Sequence, residues 1–143
     1  MNSEQDRMYR AMDASANRCV EGMRAAEDGL RFVLDNAAVT AELRALRRLV
    51  RDAVAGLPGG AQQLLLARDS AGDVARNAPS EPHADARAMI FANLKRAQEA
   101  ARSLEEFARA AAPVLSAKFG EARFRLYDAE KRIGGLLSAP DRP

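Results

Sequence analysis

Two stretches of this 143-residue chain carry groups that could do chemistry on a charged substrate. Arg18 to Arg31 and Arg96 to Arg109 both read R-x-x-E-x-x-R-x-x-E-[D/E]-x-x-R, 78 positions apart. Arginine presents a rigid fork of donors that matches phosphate and carboxylate oxygens. A neighbouring carboxylate can orient that fork or hold a divalent cation. The repeated ladder predicts either two solvated salt-bridge faces or two faces that meet as a phosphate site. Solvated, each pair is worth about 0.2–0.5 kcal/mol. If the ladders meet in an interior, every charge needs a partner or a ligand. Arg18, Arg24, Arg31, Arg96 and Arg102 would then clamp phosphate, with Glu21, Asp28, Glu99 and Glu106 orienting them or holding magnesium.

Other chemistries find little support. Cys19 and His83 are each the only residue of their type, so an internal disulfide and a Cys/His metal site are excluded. Cys19 falls among alanine and methionine on one helix face and reads as a small buried hydrophobe. The run "GLPGG" lacks the following lysine and the helix geometry of a phosphate-cradling glycine loop. A net charge of +2, with 22 basic residues against 20 acidic, excludes a typical nucleic-acid binder. No stretch approaches a membrane span and no apolar signal core opens the chain, so a cytoplasmic location is the default expectation.

The elements that must position these groups are helical. Alanine dominates an apolar fraction of 48% and aromatics are only 5%, which favours close-packed helices over a sheet. The spacing predicts a first helix over Glu4–Asn36. Met12, Ala16, Cys19, Met23, Ala26, Leu30, Val33 and Ala37 share its core arc, and the charged ladder lies opposite. Phe32 falls beside the charged arc, where it could wall a pocket. Thr40 is expected to cap a second helix through Val54, ended by "GLPGG". A short third segment, "AQQLLLAR", precedes a turn-rich stretch from Asp69 to Pro82. A fourth helix is expected over Ala84–Ala111 and a fifth over Leu115–Leu137, before a frayed tail at 138–143. The fourth helix places Asn93 at the margin of its apolar arc, where a buried amide needs a partner. The fold class is therefore all-α: one domain, a compact bundle or array of about five helices. The echo between the first and fourth helices hints at duplication of a helical hairpin.

Four segments in order, "MDASANRCVEGMRAAEDGLRF", "RDSAGDV", "NLKRAQEAARSLEEFAR" and "EARFRLYDAEKR", resemble a small all-helical domain family of thiamin biosynthesis. Members are described as an alternative hydroxymethylpyrimidine phosphate kinase and are often fused ahead of thiamin phosphate synthase. The resemblance spans residues 10–132. It implies ATP- and Mg2+-dependent phosphorylation of 4-amino-5-hydroxymethyl-2-methylpyrimidine phosphate to its diphosphate, with the synthase as a functional partner. Carried onto matching positions, it implies catalytic roles for Arg24, Arg102, Asp69 and Glu99. Substrate contacts would come from Asn17, Arg18, Glu21, Asp28, Arg31, Asn93, Arg96, Glu106, Arg123 and Tyr127, and cofactor contacts from Arg68 and Asp73. It does not assign the metal ligands. Three positions depart from the family pattern: Ser15 replaces asparagine, Arg48 replaces histidine and Ala75 replaces glycine. Arg48 matters most, because a fixed charge cannot exchange protons near neutral pH.

The resemblance fits phosphoryl transfer by positioning. The attacking phosphate oxygen is already ionised, so the site needs alignment and charge stabilisation rather than a strong base. Two rival expectations stand beside it. One is a non-catalytic binding or partner protein for a phosphorylated pyrimidine. The other is a structural module whose ladders hold a homodimer together.

Overall fold

The computed structural model describes residues 3–138, and the expected flexible tail lies outside the described residues except for Ser138. The described residues are all-helical and contain no strand. α1 (Glu4–Asp28) runs without a break into a π-helical segment (Gly29–Val33). α2 (Ala37–Ala55), α3 (Gly60–Ala67), α4 (Ala86–Ala111) and α5 (Pro113–Ser138) follow.

Local chemistry sets the boundaries. Ser3 opens α1 with a capping box: its hydroxyl accepts from the Asp6 amide at 3.0 Å, and the Asp6 carboxylate accepts from the Ser3 amide at 3.3 Å. The cap of α2 is Asn36 rather than Thr40. The Asn36 side chain accepts from the Val39 amide, and Thr40 instead donates its hydroxyl proton back to the Asn36 carbonyl at 2.7 Å. Threonine inside the first turn finds that carbonyl more readily than it finds an amide. Asp85 caps α4 through the Ala88 amide. α5 begins at Pro113, two residues ahead of expectation, because proline suits a first helical position where no amide hydrogen is needed.

The π segment accounts for another difference. Its wider hydrogen bonds, among them Leu34 N to Gly29 O at 3.2 Å, shift the helical phase. The apolar arc therefore ends at Leu30. Val33 is 58% exposed and Ala37 is also exposed, although both were expected in the core. Asp35 then turns the chain with a left-handed φ of 49°.

Four helices close a ring in which α1 packs on α2 and α4, and α5 packs on α4 and α2. α3 lies across α1. Met12, Met23, Leu30, Leu43, Leu46, Ile90, Leu94, Leu104, Phe119, Leu126 and Ile133 fill the middle. Cys19 is fully buried among them, and burial pushes its thiol pKa up to about 12, which fits the small-hydrophobe reading.

Gly22 lets α1 and α4 approach closely. A Cβ there would lie 2.9 Å from the Asn93 carbonyl oxygen and 3.3 Å from the Ala97 amide nitrogen, both backbone atoms that cannot swing aside. Gly22→Val is therefore expected to destabilise by roughly 1–3 kcal/mol through overpacking. A urea denaturation midpoint equal to wild type would contradict that close approach.

Candidate functional site

The two ladders do not meet. Among the described residues no ion pair joins one to the other. α1 and α4 pack instead through small residues such as Gly22 and Ala97, which leaves Arg96, Glu99, Arg102 and Glu106 on an exposed side of α4. Each ladder staples its own hairpin. Glu27 of α1 pairs with Arg47 of α2, and Glu105, 78 positions on, pairs with Arg123 of α5 at 2.8 Å. The pairs along each helix repeat as well: Arg24–Asp28 at 3.3 Å and Arg102–Glu106 at 3.1 Å. The two hairpins thus share a wiring pattern as well as a sequence pattern.

The Glu105 staple has a pH signature. The hydrogen bond from Arg123 holds the Glu105 carboxyl below its usual range, helped by Arg102 and opposed by burial. Tyr127 also accepts from Arg123, at 3.5 Å. A carboxyl depressed in the folded state binds fewer protons there than when unfolded. Its stabilisation is therefore full above the ordinary carboxyl value and is lost as pH falls through the folded value. Glu105→Gln is expected to be less stable than wild type at pH 7, with the two converging as pH falls below the ordinary glutamate range. Parallel denaturation curves at every pH would contradict this assignment.

A cleft does form elsewhere, between the N-terminal half of α1, the loop after α3 and the side of α4. It encloses about 500 Å³. Of the residues expected in a site it gathers Asn17, Arg18, Arg68, Asp69 and Asp73. Reading the ladders alone missed Arg7, Arg10, Asp13, Ser103 and Phe107, which also line it. Arg10, Asp13 and Asn17 continue one helical face at spacings of three and four, so the signal lay in the turns just before the first ladder.

Two arginines tie the loop to α1. Arg68 donates to both oxygens of Asp13, from Nε at 2.7 Å and from Nη2 at 2.9 Å, in a fork that fixes the guanidinium plane. Those hydrogen bonds and the Asp13 charge, with a smaller contribution from Glu21, raise the pKa of Arg68. Arg10 donates to the Asp69 carbonyl at 3.0 Å. Within the loop, Asp69 Oδ1 accepts from the Gly72 amide and Asp73 Oδ1 accepts from the Ala75 amide, so both acidic side chains are held in tight turns. On the α1–α4 side, Ser15 is buried and donates to Ser103 at 3.0 Å. The serine in place of asparagine thus keeps a hydrogen bond. Arg18 is exposed and forms no ion pair among the described residues. The cleft therefore presents one guanidinium ready for an anion, a second held rigidly by Asp13, and two carboxylates, beside the Phe107 ring.

The remaining expected site residues lie outside this cleft. Arg24 lines a different hollow with Arg48, and Arg31 lies over the exposed Phe32 ring at 4.7 Å. Asn93 donates to the Met89 carbonyl, which satisfies its half-buried amide. Of the four residues expected to be catalytic, only Asp69 reaches the cleft; Arg24, Glu99 and Arg102 do not join it.

Among the described residues no group of three or more His, Cys, Asp and Glu side chains forms a ready-made metal site, and no helix is long and apolar enough to cross a membrane.

Comparison with known proteins comes to the same segments. The model of the ThiD2 family matches residues 10–132. A protein of Synechocystis sp. named thiamine-phosphate synthase is 34% identical over 129 residues, covering 88% of this chain and 36% of the relative. A Rhodopirellula baltica protein of the same name is 33% identical over 142 residues, covering 94% of this chain and 37% of the relative. A third, from Synechococcus sp., is 38% identical over 133 residues, covering 89% of this chain and 35% of the relative. The chain spans little more than a third of these relatives' length. No solved structure matches it.

Proposed function

Because the chain belongs to the ThiD2 family, we propose that it acts in thiamin biosynthesis as a kinase. The reaction is transfer of the γ-phosphoryl group of ATP to 4-amino-5-hydroxymethyl-2-methylpyrimidine phosphate, giving the diphosphate and ADP. The observation that carries this reading is the cleft, which sets Arg18, Arg68, Asp69 and Asp73 together inside the matched span.

The chemistry asks for positioning. A monoester oxygen forms a bond to the γ-phosphorus as the bridging P–O bond of ATP breaks, and ADP leaves with that electron pair. The nucleophile is already anionic, so the absence of histidine and cysteine from the cleft is no obstacle. Arg18 receives the substrate phosphate, while Arg68, held by Asp13, offers its remaining donors to the transferring group. Phe107 gives the pyrimidine ring an apolar face and Asn17 a polar edge. Asp73 uses one carboxylate oxygen in a turn and keeps the other, while Asp69 gives Oδ1 to its turn and sets Oδ2 at 4.0 Å from Arg10, a loose pair that a cation can replace. That donor set fits a magnesium ion, which commonly takes one or two carboxylates and completes its shell with water and substrate phosphates. When bound, the ion neutralises phosphate charge. The chain's own residues align the two substrates.

The test is ADP release from purified protein, ATP and magnesium, with and without the pyrimidine phosphate. ADP that appears only with both substrates supports the kinase. Binding of the pyrimidine phosphate with no ADP release selects a non-catalytic binding protein, and no binding returns the ladders to assembly.

A further inference from the structure

Between the helices of the first hairpin, α1 and α2 enclose a hollow of about 340 Å³ lined by Arg24, Arg44, Arg47, Arg48, Arg51 and Asp52; its Arg51 also borders a groove that reaches Asp13, Asn17 and Arg68. We propose that it is a second anion site, built for a phosphate or diphosphate group and separate from the cleft. It shares no lining residue with the cleft.

Charge makes the case first. Arg44, Arg47, Arg48 and Arg51 stand at helical spacings of three and four on α2, where like charges repel and destabilise the helix. Glu27 answers Arg47 and Asp28 answers Arg24 from α1. Arg44, Arg48 and Arg51 have no ion pair among the described residues, and Asp52 is the one acidic residue lining the hollow. Three guanidinium groups against one carboxylate leave a net positive wall, and arginine forks match the oxygens of phosphate.

The second observation is a buried donor. Arg47 is 5% exposed and Glu27 takes its Nη2, but its Nε has no hydrogen-bond partner although it is buried. Buried donors are normally satisfied, so an orphan one beside an arginine-lined hollow points to a missing acceptor. A phosphate oxygen becomes that acceptor once the Arg47 side chain turns its Nε into the hollow, and the anion relieves the repulsion along α2. Arg48 then has a binding role that histidine, neutral for much of the time near pH 7, would serve less constantly.

Pyrophosphate is the probe. It is titrated calorimetrically into the full chain at constant ionic strength, so that screening does not mimic binding. The same titration is run on Arg44→Ala/Arg51→Ala, whose exposed side chains leave the core untouched, and on Arg18→Ala in the cleft. The double variant is expected to lose a pyrophosphate site or weaken it at least tenfold, while Arg18→Ala keeps that site. Repeating the series with ATP separates the sources. A matching loss for ATP places nucleotide phosphates in the hollow, and a loss for pyrophosphate alone assigns it to the free anion. Wild type without a pyrophosphate response, or a double variant that binds like wild type, overturns the proposal. The outcome does not depend on kinase activity, so it fails or stands apart from that reading.

Discussion

Arg47→Ala is expected to cost roughly 3–5 kcal/mol of stability, because it strands the Glu27 carboxylate inside the protein. Glu27 is 1% exposed and Arg47 is its ion-pair partner. With the partner gone, Glu27 must either stay charged without compensation or take up a proton at a cost. For a domain of this size the loss lowers the melting temperature by on the order of 10 °C or more. A shape-matched apolar pair should behave differently. Glu27→Leu combined with Arg47→Met removes both charges together, and such replacements are often neutral or stabilising. The double variant is therefore expected to recover most of what Arg47→Ala loses. Thermal melts of the three proteins decide it, and a loss below about 1 kcal/mol for Arg47→Ala would mean that water reaches Glu27.

The second large effect concerns activity and follows from where the structure places arginines that look alike in sequence. Arg18 is the first arginine of one ladder and Arg102 the middle arginine of the other, yet Arg18 lines the cleft while Arg102 is exposed on α4 beside Glu105 and Glu106. If the cleft is the phosphoryl-transfer site, Arg18→Ala removes the unpaired guanidinium that receives the substrate phosphate and lowers kcat/KM by about 100-fold or more. Arg102→Ala loses an exposed pair with Glu106 and a longer one with half-buried Glu105, both outside the cleft, and the expected change in kcat/KM is less than about threefold. The pair of variants is informative because both delete the same functional group. Equal losses would mean that the α4 ladder takes part in the reaction and that the cleft of the single chain is incomplete.

Periodicity made much of the architecture legible. The apolar arc of α1 from Met12 to Leu30 and the arc of α4 from Ile90 to Ala108 are buried as expected, and Cys19 lies inside with them. What failed did so for local reasons. An amphipathic pattern assumes about 3.6 residues per turn, so a π segment after Asp28 made Val33 and Ala37 look like core. Asn36 and Thr40 are both competent caps, and only the backbone path through the left-handed Asp35 decides between them.

The site was harder to read, because charge pattern gives the face of a helix but not the neighbour of that face. The two ladders share a period and face away from the α1–α4 contact, so their likeness records how each hairpin is stapled. The loop residues Arg68, Asp69 and Asp73 were legible through the family resemblance. Their anchorage was not, since Asp13 and Arg68 lie 55 residues apart and nothing local links them. The hollow of arginines on α2 was also missed, since its residues surround a turn whose apolar half reads as an ordinary core helix.

The proposed reaction adds a second phosphate to a pyrimidine monophosphate. The measurement that tests it most directly is time-resolved 31P NMR of the purified protein with hydroxymethylpyrimidine phosphate, ATP and magnesium. The expected result is that the monoester signal and the ATP γ signal fall together while two coupled diphosphate signals and ADP rise in equal amounts. An unchanged monoester signal, whether ATP is untouched or is hydrolysed to inorganic phosphate, would contradict it.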